Sequence, residues 1–177
     1  WIANFYWILY ILSVGMLAIV LIPGVGEVVN GARRWINLGF TNFQPSELAK
    51  IFLIIFFAKF IMVHEEDLSS KRTILKAVIL IVIPLVLIFE EPNLSTTICT
   101  AALFCVLMYV GGLSYRFIGI VLLVTVPTAI ILLSLIVQPD QKILDDYQQK
   151  RILAWLNPEE YASDEAYQQN NSVMAIG

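Results

Sequence analysis

The segment from Asn30 to Lys50 holds the residues of this chain that are best suited to chemistry. Two adjacent arginines and a tryptophan are followed by an acid and a base one helical turn apart, in the order NGARRWINLGFTNFQPSELAK. Charged side chains at the start of an apolar segment are costly, and in membrane proteins they mark functional sites. A guanidinium such as that of Arg34 can bind phosphate through two hydrogen bonds. The pattern predicts a site for an anionic, lipid-linked substrate.

The acid and the base of this segment, Glu47 and Lys50, follow a helix start signal. Pro45 suits the first position of a helix, and Glu47 suits its positive N-terminal end. Lys50 opposes the helix dipole there, but its spacing from Glu47 allows an ion pair on one face. Two interpretations are open for the pair: an interfacial ion pair that locks two helices, or one wall of a polar cavity that faces the substrate.

Composition restricts the class of protein. Hydrophobic residues make up 59% of the 177 and charged residues 14%, with a mean hydropathy of +0.79, which is typical of an integral membrane protein. The net charge of -3 offers no basic field for nucleic acid. No Gly-rich phosphate loop indicates nucleotide hydrolysis. His64, the single histidine, lies among acids, so no histidine metal site or catalytic triad is predicted. No cofactor is evident, and a divalent cation, although possible, is not indicated.

Five segments are apolar enough to cross a membrane, since a helical crossing needs roughly 20 predominantly apolar residues. They lie near residues 4–22, 46–63, 73–89, 95–111 and 117–138. An open sheet cannot satisfy its backbone in lipid, so the predicted fold is an all-α polytopic helical bundle. Residues 1–138 would form the transmembrane region and 139–177 part of an extracytoplasmic loop. Pro84 falls inside the third segment and predicts a kink whose freed carbonyl a neighbour or water must satisfy.

The distribution of positive charge sets the predicted orientation. Cationic residues flank two turns that share one side if the helices alternate, and that side should be cytoplasmic: Lys71, Arg72, Lys76 and Arg116. Residues 23–45, the turn at 90–93 and the tail then lie outside. Arg33 and Arg34 would be on the side where arginine is disfavoured, which indicates either a bound anion or side chains that snorkel to lipid phosphates.

The tail from residue 139 onward is polar and predicts an extramembrane loop. Within it, residues 147–156 carry apolar side chains at helical spacing and predict a short helix along the membrane surface. Arg151 on this helix is a candidate for a second contact with an anionic substrate. Asp145, Asp146 and Asp164 have an ordinary solvated-loop interpretation.

Several motifs together resemble the SEDS family, the RodA/FtsW proteins of bacterial shape, elongation, division and sporulation. The segment 30–50 resembles the family signature, Glu91–Thr96 (EPNLST) resembles its QPDLGT, and residues 112–116 resemble its cytoplasmic turn. Residues 147–151, 157–158 and 167–177 resemble its large loop. The resemblance covers nearly the whole chain, and its motif residues include Gly31, Trp35, Gln44, Pro45, Ser46 and Pro92.

The resemblance implies a fold of about ten transmembrane helices, of which this chain would supply roughly the third to the seventh and part of the following loop. Family members polymerise lipid II into glycan strands in the bacterial cytoplasmic membrane, usually with a class B penicillin-binding protein. A base would activate the acceptor hydroxyl while cations stabilise the departing undecaprenyl diphosphate. Arg34 is then the candidate for diphosphate contact, with Glu47 and Lys50 shaping the cavity.

The family's catalytic aspartate lies in a His-Thr-Asp-Phe-like segment beyond the position that matches Gly177. The catalytic residue is therefore not assigned here, and we expect a chain limited to these residues to be an inactive piece of a longer protein. None of the three loop aspartates matches the motif.

Three departures from the family pattern are Asn93 for an aspartate, Ser95 for a glycine and Asn171 for a glutamine. Asn93 cannot act as a charged ligand or base, which puts in doubt any role assigned to an aspartate there. Two alternatives to a polymerase stay open: a lipid II flippase, or a non-catalytic scaffold for a penicillin-binding protein.

Overall fold

A computed structural model describes residues 5–29, 32–37, 39 and 41–115, together with positions 119, 123, 127, 134, 149, 152–154, 156, 171 and 174–176. The chain forms two compact units, Trp1–Val121 and Leu122–Gly177. Almost all of the described residues belong to the first unit. The predicted boundary between residues 138 and 139 lies outside the described residues.

Among the described residues of the first unit, four α-helices are defined: α1 Tyr6–Val20, α2 Pro45–Val63, α3 Lys71–Glu90 and α4 Leu94–Val110. They coincide with the first four predicted spans, whereas the fifth, at 117–138, lies almost entirely outside the described residues. A short 3-10 helix, Glu65–Asp67, joins α2 to α3, and a turn of three residues joins α3 to α4. After each of these short connections, the next helix runs back along the bundle in the opposite direction.

The described part of the chain is mostly helical, as predicted, and a small antiparallel sheet between α1 and α2 is an element that the all-α prediction did not include. Its strands are β1 Glu27–Val29, β2 Ala32–Asn37 and β3 Asn42–Phe43, in the order β1-β2-β3. The argument against strands applied to backbone immersed in lipid, but this segment lies between two apolar helices and can pair its own strands. We call the end of the bundle that carries this sheet the sheet end.

Aromatic side chains fill the centre of the bundle. Phe56 and Phe57 on α2 are 0% and 1% exposed, and they lie in one apolar cluster with Tyr10 of α1 and Ile81 of α3. The rings of Tyr10 and Phe56 are 4.7 Å apart between centroids. A second, smaller apolar cluster connects α1, α2 and α3 at another point along the bundle. It consists of Leu17, Ala49 and Ile88. Close packing of this kind is what holds helices together in a membrane, where lipid is as apolar as the side chains.

The outer faces of the helices are also apolar. On α3, large exposed side chains cover the surface that faces away from the bundle: Leu75, Ile79, Val82, Ile83, Val86 and Phe89. Among the described helices, α3 alone is both long and apolar enough to cross a membrane, and α1 and α4 are apolar but shorter. The count of five spans therefore stays a prediction.

Pro84 lies in the interior of α3 and is buried, yet the helix continues from Lys71 to Glu90. Proline has no N–H, so the carbonyl four residues earlier, at Leu80, loses its helical donor. The hydroxyl of Tyr10 on α1 donates to that carbonyl at 2.9 Å. The group that satisfies this carbonyl is therefore the neighbouring Tyr10, and the predicted kink at Pro84 stays a prediction.

Candidate functional site

Strand β2 presents the two adjacent arginines, and the structure gives them different surroundings. Arg33 donates from Nη1 to the carbonyl oxygen of Leu21 at 3.3 Å, immediately after the end of α1. A cation suits the negative C-terminal end of a helix. Gly26 makes this contact possible, because a Cβ there would collide with the carbonyl of Val20 and with the Arg33 side chain. Arg33 therefore has a structural role at the end of α1.

Arg34 points to a different part of the sheet end, because successive side chains of a strand lie on opposite faces. Its side chain is half-buried, and its charge acts on the carboxyl group of Glu91 at the end of α3. Trp35, the next residue, is half-buried, and its Cα pairs with that of Glu27 on β1. The predicted contact between Arg34 and a diphosphate stays a prediction.

The start of α2 has the local structure that its sequence predicts. Gln44 is extended at the N-cap, with φ -104° and ψ 107°, and Pro45 occupies the first turn. The Gln44 side chain donates from Nε2 to the Ser46 hydroxyl at 3.0 Å. Pro45 and Ser46 are buried. The Gln44 side chain and the buried Pro45 and Ser46 thus define the start of α2.

Glu47 and Lys50 form the ion pair that their spacing predicts, with Nζ and Oε1 separated by 2.9 Å. The pair lies within one helix. The side chain of Glu47 is 57% exposed and that of Lys50 is 19% exposed. Lys50 also lines a small, mostly apolar crevice between α2, α3 and α4 with Leu53, Ile81, Thr100 and Leu107. The proposed part of the pair in a substrate cavity stays a prediction.

The turn between α3 and α4 contains Pro92 and ends at Asn93, which is the N-cap of α4. The Asn93 side chain accepts a hydrogen bond from the backbone N–H of Thr96 at 3.4 Å. Asparagine and aspartate are about equally good N-caps, so this substitution in the motif preserves the capping role.

Glu91 also lies at the sheet end, and its place in the sequence motif predicted no role for its side chain. It is 0% exposed, and neither carboxyl oxygen has a hydrogen-bond partner among the described residues. Burial raises its pKa from the ordinary value of 4.5 to about 8, and the nearby Arg34 charge and Ser46 hydroxyl lower the pKa in part. The Ser46 hydroxyl lowers the pKa of Glu91 although it does not form a hydrogen bond of good geometry with either carboxyl oxygen. The available signal was the motif itself, in which EPN stands where QPD is usual.

Several residues discussed from the sequence lie outside the described part of the chain. They are the motif residue Gly31, the candidate substrate contact Arg151, and the loop residues Asp145, Asp146 and Asp164. Within the described part, no three His, Cys, Asp or Glu side chains form a group that could hold a metal ion. The predictions about cofactors stay predictions.

Four packed helices with apolar outer faces, joined at one end to a sheet that carries Arg34, define a helical membrane protein with a polar site at one end of its bundle. Residues 3–177 match the sequence pattern of the FtsW, RodA and SpoVE family, described as "Cell cycle protein". The chain belongs to this family, as its motifs predicted.

Curated relatives carry names that refer to one activity. The chain is 35% identical over 173 residues to the probable peptidoglycan glycosyltransferase FtsW of Nitrosomonas europaea, covering 95% of this chain and 42% of the relative. It is 32% identical to the peptidoglycan glycosyltransferase MrdB of Escherichia coli K12, covering 97% of this chain and 44% of that protein. The chain thus spans less than half the length of these relatives.

Two solved structures have the same fold. One, from work titled "Structural coordination of polymerization and crosslinking by a peptidoglycan synthase complex", has a TM-score of 0.69 and 30% identity, over 99% of this chain and 49% of the other. The rod shape determining protein RodA of Thermus thermophilus has a TM-score of 0.57 and 31% identity, over 69% of this chain and 40% of the other. At these identities the likeness extends to sequence as well as fold.

Proposed function

We propose that this chain is part of a peptidoglycan glycosyltransferase that polymerises lipid II into glycan strands. The observation that carries the proposal is the position of Arg34, on the sheet at the end of the bundle, in a family whose curated relatives are named for this activity. The apolar outer faces of the helices support a multi-pass location in the bacterial cytoplasmic membrane, with the sheet end outside. That side is where a lipid-linked sugar would be polymerised.

The chemistry requires the acceptor sugar hydroxyl to attack the anomeric carbon of the donor. A new C–O bond forms while the bond from that carbon to the diphosphate oxygen breaks, and the hydroxyl proton passes to a general base. Undecaprenyl diphosphate leaves with the electron pair of the broken bond. A fixed cation that stabilises this developing charge lowers the barrier, because it is already oriented before the reaction.

We assign the diphosphate contact to Arg34, because a guanidinium binds phosphate through two hydrogen bonds and keeps its charge at any physiological pH. Glu47 and Lys50 would shape the adjacent wall of the cavity, and Arg151 would add a second cation. The general base is not assigned to a residue of this chain.

A class B penicillin-binding protein is the proposed partner. One solved structure with a chain similar to this one is described as showing coordination of polymerization and crosslinking by a peptidoglycan synthase complex. A polymerase that extends glycan strands beside a crosslinking enzyme would match that description.

The test is polymerisation of lipid II by the full-length protein purified with its penicillin-binding partner, followed on a glycan-length gel. Arg34→Ala should lower the rate by about ten- to a hundredfold, the equivalent of losing a charged hydrogen bond. Arg33→Gln is the matched control: it should retain polymerisation, since Arg33 binds the end of α1. Each variant must first be shown to be folded.

Equal rates for Arg34→Ala and wild type would remove Arg34 from the site. A wild-type protein that builds no strands but moves lipid II across vesicles would replace the polymerase by a flippase. A protein that does neither, yet recruits its partner, would be a scaffold.

A further inference from the structure

The apolar outer face of α1 continues past the end of the helix. Large exposed side chains follow one face of the chain at helical spacing, and they are Ile8, Leu12, Ile19 and Ile22. Beyond Val20, where the helix ends, Val25 and Val28 are also exposed, at 43% and 54%. No Asp, Glu, Lys or Arg occurs between Phe5 and Gly26. The uncharged apolar surface of α1 thus extends as far as strand β1.

Helix α1 is short for a membrane span. Its 15 residues extend roughly 22 Å at 1.5 Å per residue, whereas the hydrocarbon core of a bilayer is about 30 Å thick. A short span leaves part of the hydrocarbon beside the segments that flank it, unless the bilayer becomes thinner. At the sheet end the flanking segment is residues 21–26, which we call the apolar turn.

The backbone of the apolar turn makes internal hydrogen bonds, which matter most where water is scarce. The carbonyl oxygen of Leu21 accepts from Nη1 of Arg33 at 3.3 Å. The carbonyl oxygen of Ile22 accepts from the backbone N–H groups of Val25 and Gly26, at 3.1 and 3.3 Å. Unsatisfied backbone groups are costly in lipid, so these bonds make the turn suited to the edge of the hydrocarbon.

Strand β1 directs Val28 toward the same side as the apolar turn. The Cα of Val28 pairs with that of Arg33, so the two side chains share one face of the sheet. Arg33 on that face reaches back to the end of α1. Successive side chains of a strand lie on opposite faces, so Glu27, which is also exposed, lies on the other face. The first acid after α1 can therefore stay in water while Val28 faces the membrane.

We propose that the apolar turn and Val28 form an interfacial anchor, which places Ile22, Val25 and Val28 among the acyl chains of the leaflet at the sheet end. Lipid is the occupant that fits, because the surface is uncharged, continues the outer face of a short membrane helix and has an internally bonded backbone. The anchor would fix the depth of β2, the strand that carries both arginines. It does not depend on whether the protein polymerises lipid II or transports it.

The experiment measures the depth of Val28 in the membrane. The full-length protein, in a cysteine-free background, carries Val28→Cys labelled with bimane and is reconstituted in vesicles of phosphatidylethanolamine and phosphatidylglycerol. Spin-labelled lipids with shallow and deep labels quench the bimane from the membrane, and iodide quenches it from water. The two lipid labels should place position 28 about 5–10 Å into the boundary between headgroups and acyl chains, the depth of interfacial segments.

Thr41→Cys, with the same probe, is the matched control. Thr41 is exposed between β2 and β3, outside the apolar surface. Its bimane should be quenched severalfold more by iodide than that at position 28, and little by the spin-labelled lipids. If Val28→Cys does not fold, Val25→Cys takes its place, because Val25 belongs to the same exposed surface.

Two results would overturn the inference. Quenching of position 28 by iodide and not by lipid would place the turn in water. Protection from both quenchers would show that protein covers it, either another part of the full-length chain or a partner. Polymerisation of lipid II by the unlabelled wild type tests the proposed function separately, so the failure of one proposal leaves the other intact.

Discussion

Glu91 makes the stability of this protein depend on pH. Its folded-state pKa is about 8, against an ordinary value of 4.5. Between these values the unfolded chain has lost the proton that the folded protein retains, so the free energy of unfolding falls as pH rises. We expect the melting temperature of the full-length protein to fall from about pH 4.5 to about pH 8, beyond the fall seen in Glu91→Gln. Parallel curves for the two proteins would contradict this.

The ion pair of Glu47 and Lys50 should matter more for activity than for stability. An ion pair at this helical spacing contributes about 0.2–0.5 kcal/mol, and the Glu47 side chain is 57% exposed. Glu47→Gln should therefore change the melting temperature little while lowering polymerisation, if the pair lines the substrate cavity. Glu27→Gln, on β1, provides a control for the loss of one acidic charge. Normal polymerisation by folded Glu47→Gln would exclude the pair from the cavity.

At the residue scale, the position of the polar motif could be predicted from the sequence. Which of its two arginines has a structural role could not. Arg33 and Arg34 are the same residue type at adjacent positions, and strand alternation sends Arg33 to the end of α1 and Arg34 to the opposite face of the sheet. The alternation could not be applied because no strand was predicted. Glu91 was missed because its burial depends on packing among segments distant in sequence.

At the scale of elements, the joint between α1 and β1 depends on the absence of a side chain at Gly26. A Cβ there would meet backbone at Val20, which cannot rotate away. Gly26→Ala should cost about 1–3 kcal/mol of stability, as overpacking does. Gly15→Ala, in the interior of α1 with open space around it, should be neutral or stabilising by roughly 0.5–1 kcal/mol. Chemical unfolding of the full-length variants in detergent measures both, and equal effects would exclude the close contact.

The contact between Tyr10 and the Leu80 carbonyl should be coupled to Pro84. Tyr10→Phe removes the donor, and it should cost about 1 kcal/mol, within the range measured for hydrogen bonds in membrane proteins. Pro84→Ala restores the backbone N–H, so Tyr10→Phe should cost almost nothing in that background. A double-mutant cycle on unfolding free energies gives the coupling. A coupling energy of zero would show that the bond at 2.9 Å adds no stability.

Helix positions could be predicted because membrane-length apolar segments bounded by polar turns leave few alternatives. The predicted segment at 73–89 became Lys71–Glu90, and that at 95–111 became Leu94–Val110. The strands escaped prediction because their short sequences, such as Glu27–Val29, carry a weak alternating pattern that only pairing with β2 makes stable.

At the scale of the whole molecule, the orientation in the membrane is open to a direct measurement. Thr41 is exposed beside the sheet, and Ser69 is exposed in the connection between α2 and α3. After replacement of Cys99 and Cys105, a cysteine at position 41 should react with an impermeant maleimide in intact cells. A cysteine at position 69 should react only after lysis. The reverse pattern would place Arg34 on the cytoplasmic side and reject the proposed site.

The bond between Tyr10 and the carbonyl freed by Pro84 has a consequence for biosynthesis. In hydrocarbon, an unsatisfied carbonyl costs several kcal/mol, so α3 is poorly suited to lie in lipid alone. Because α1 precedes α3 in the chain, the ribosome delivers the tyrosine to the membrane before the proline emerges. The order of the helices thus lets α3 find Tyr10 already in the membrane, and a permuted gene that places α1 after α3 would leave the Leu80 carbonyl without a partner during synthesis.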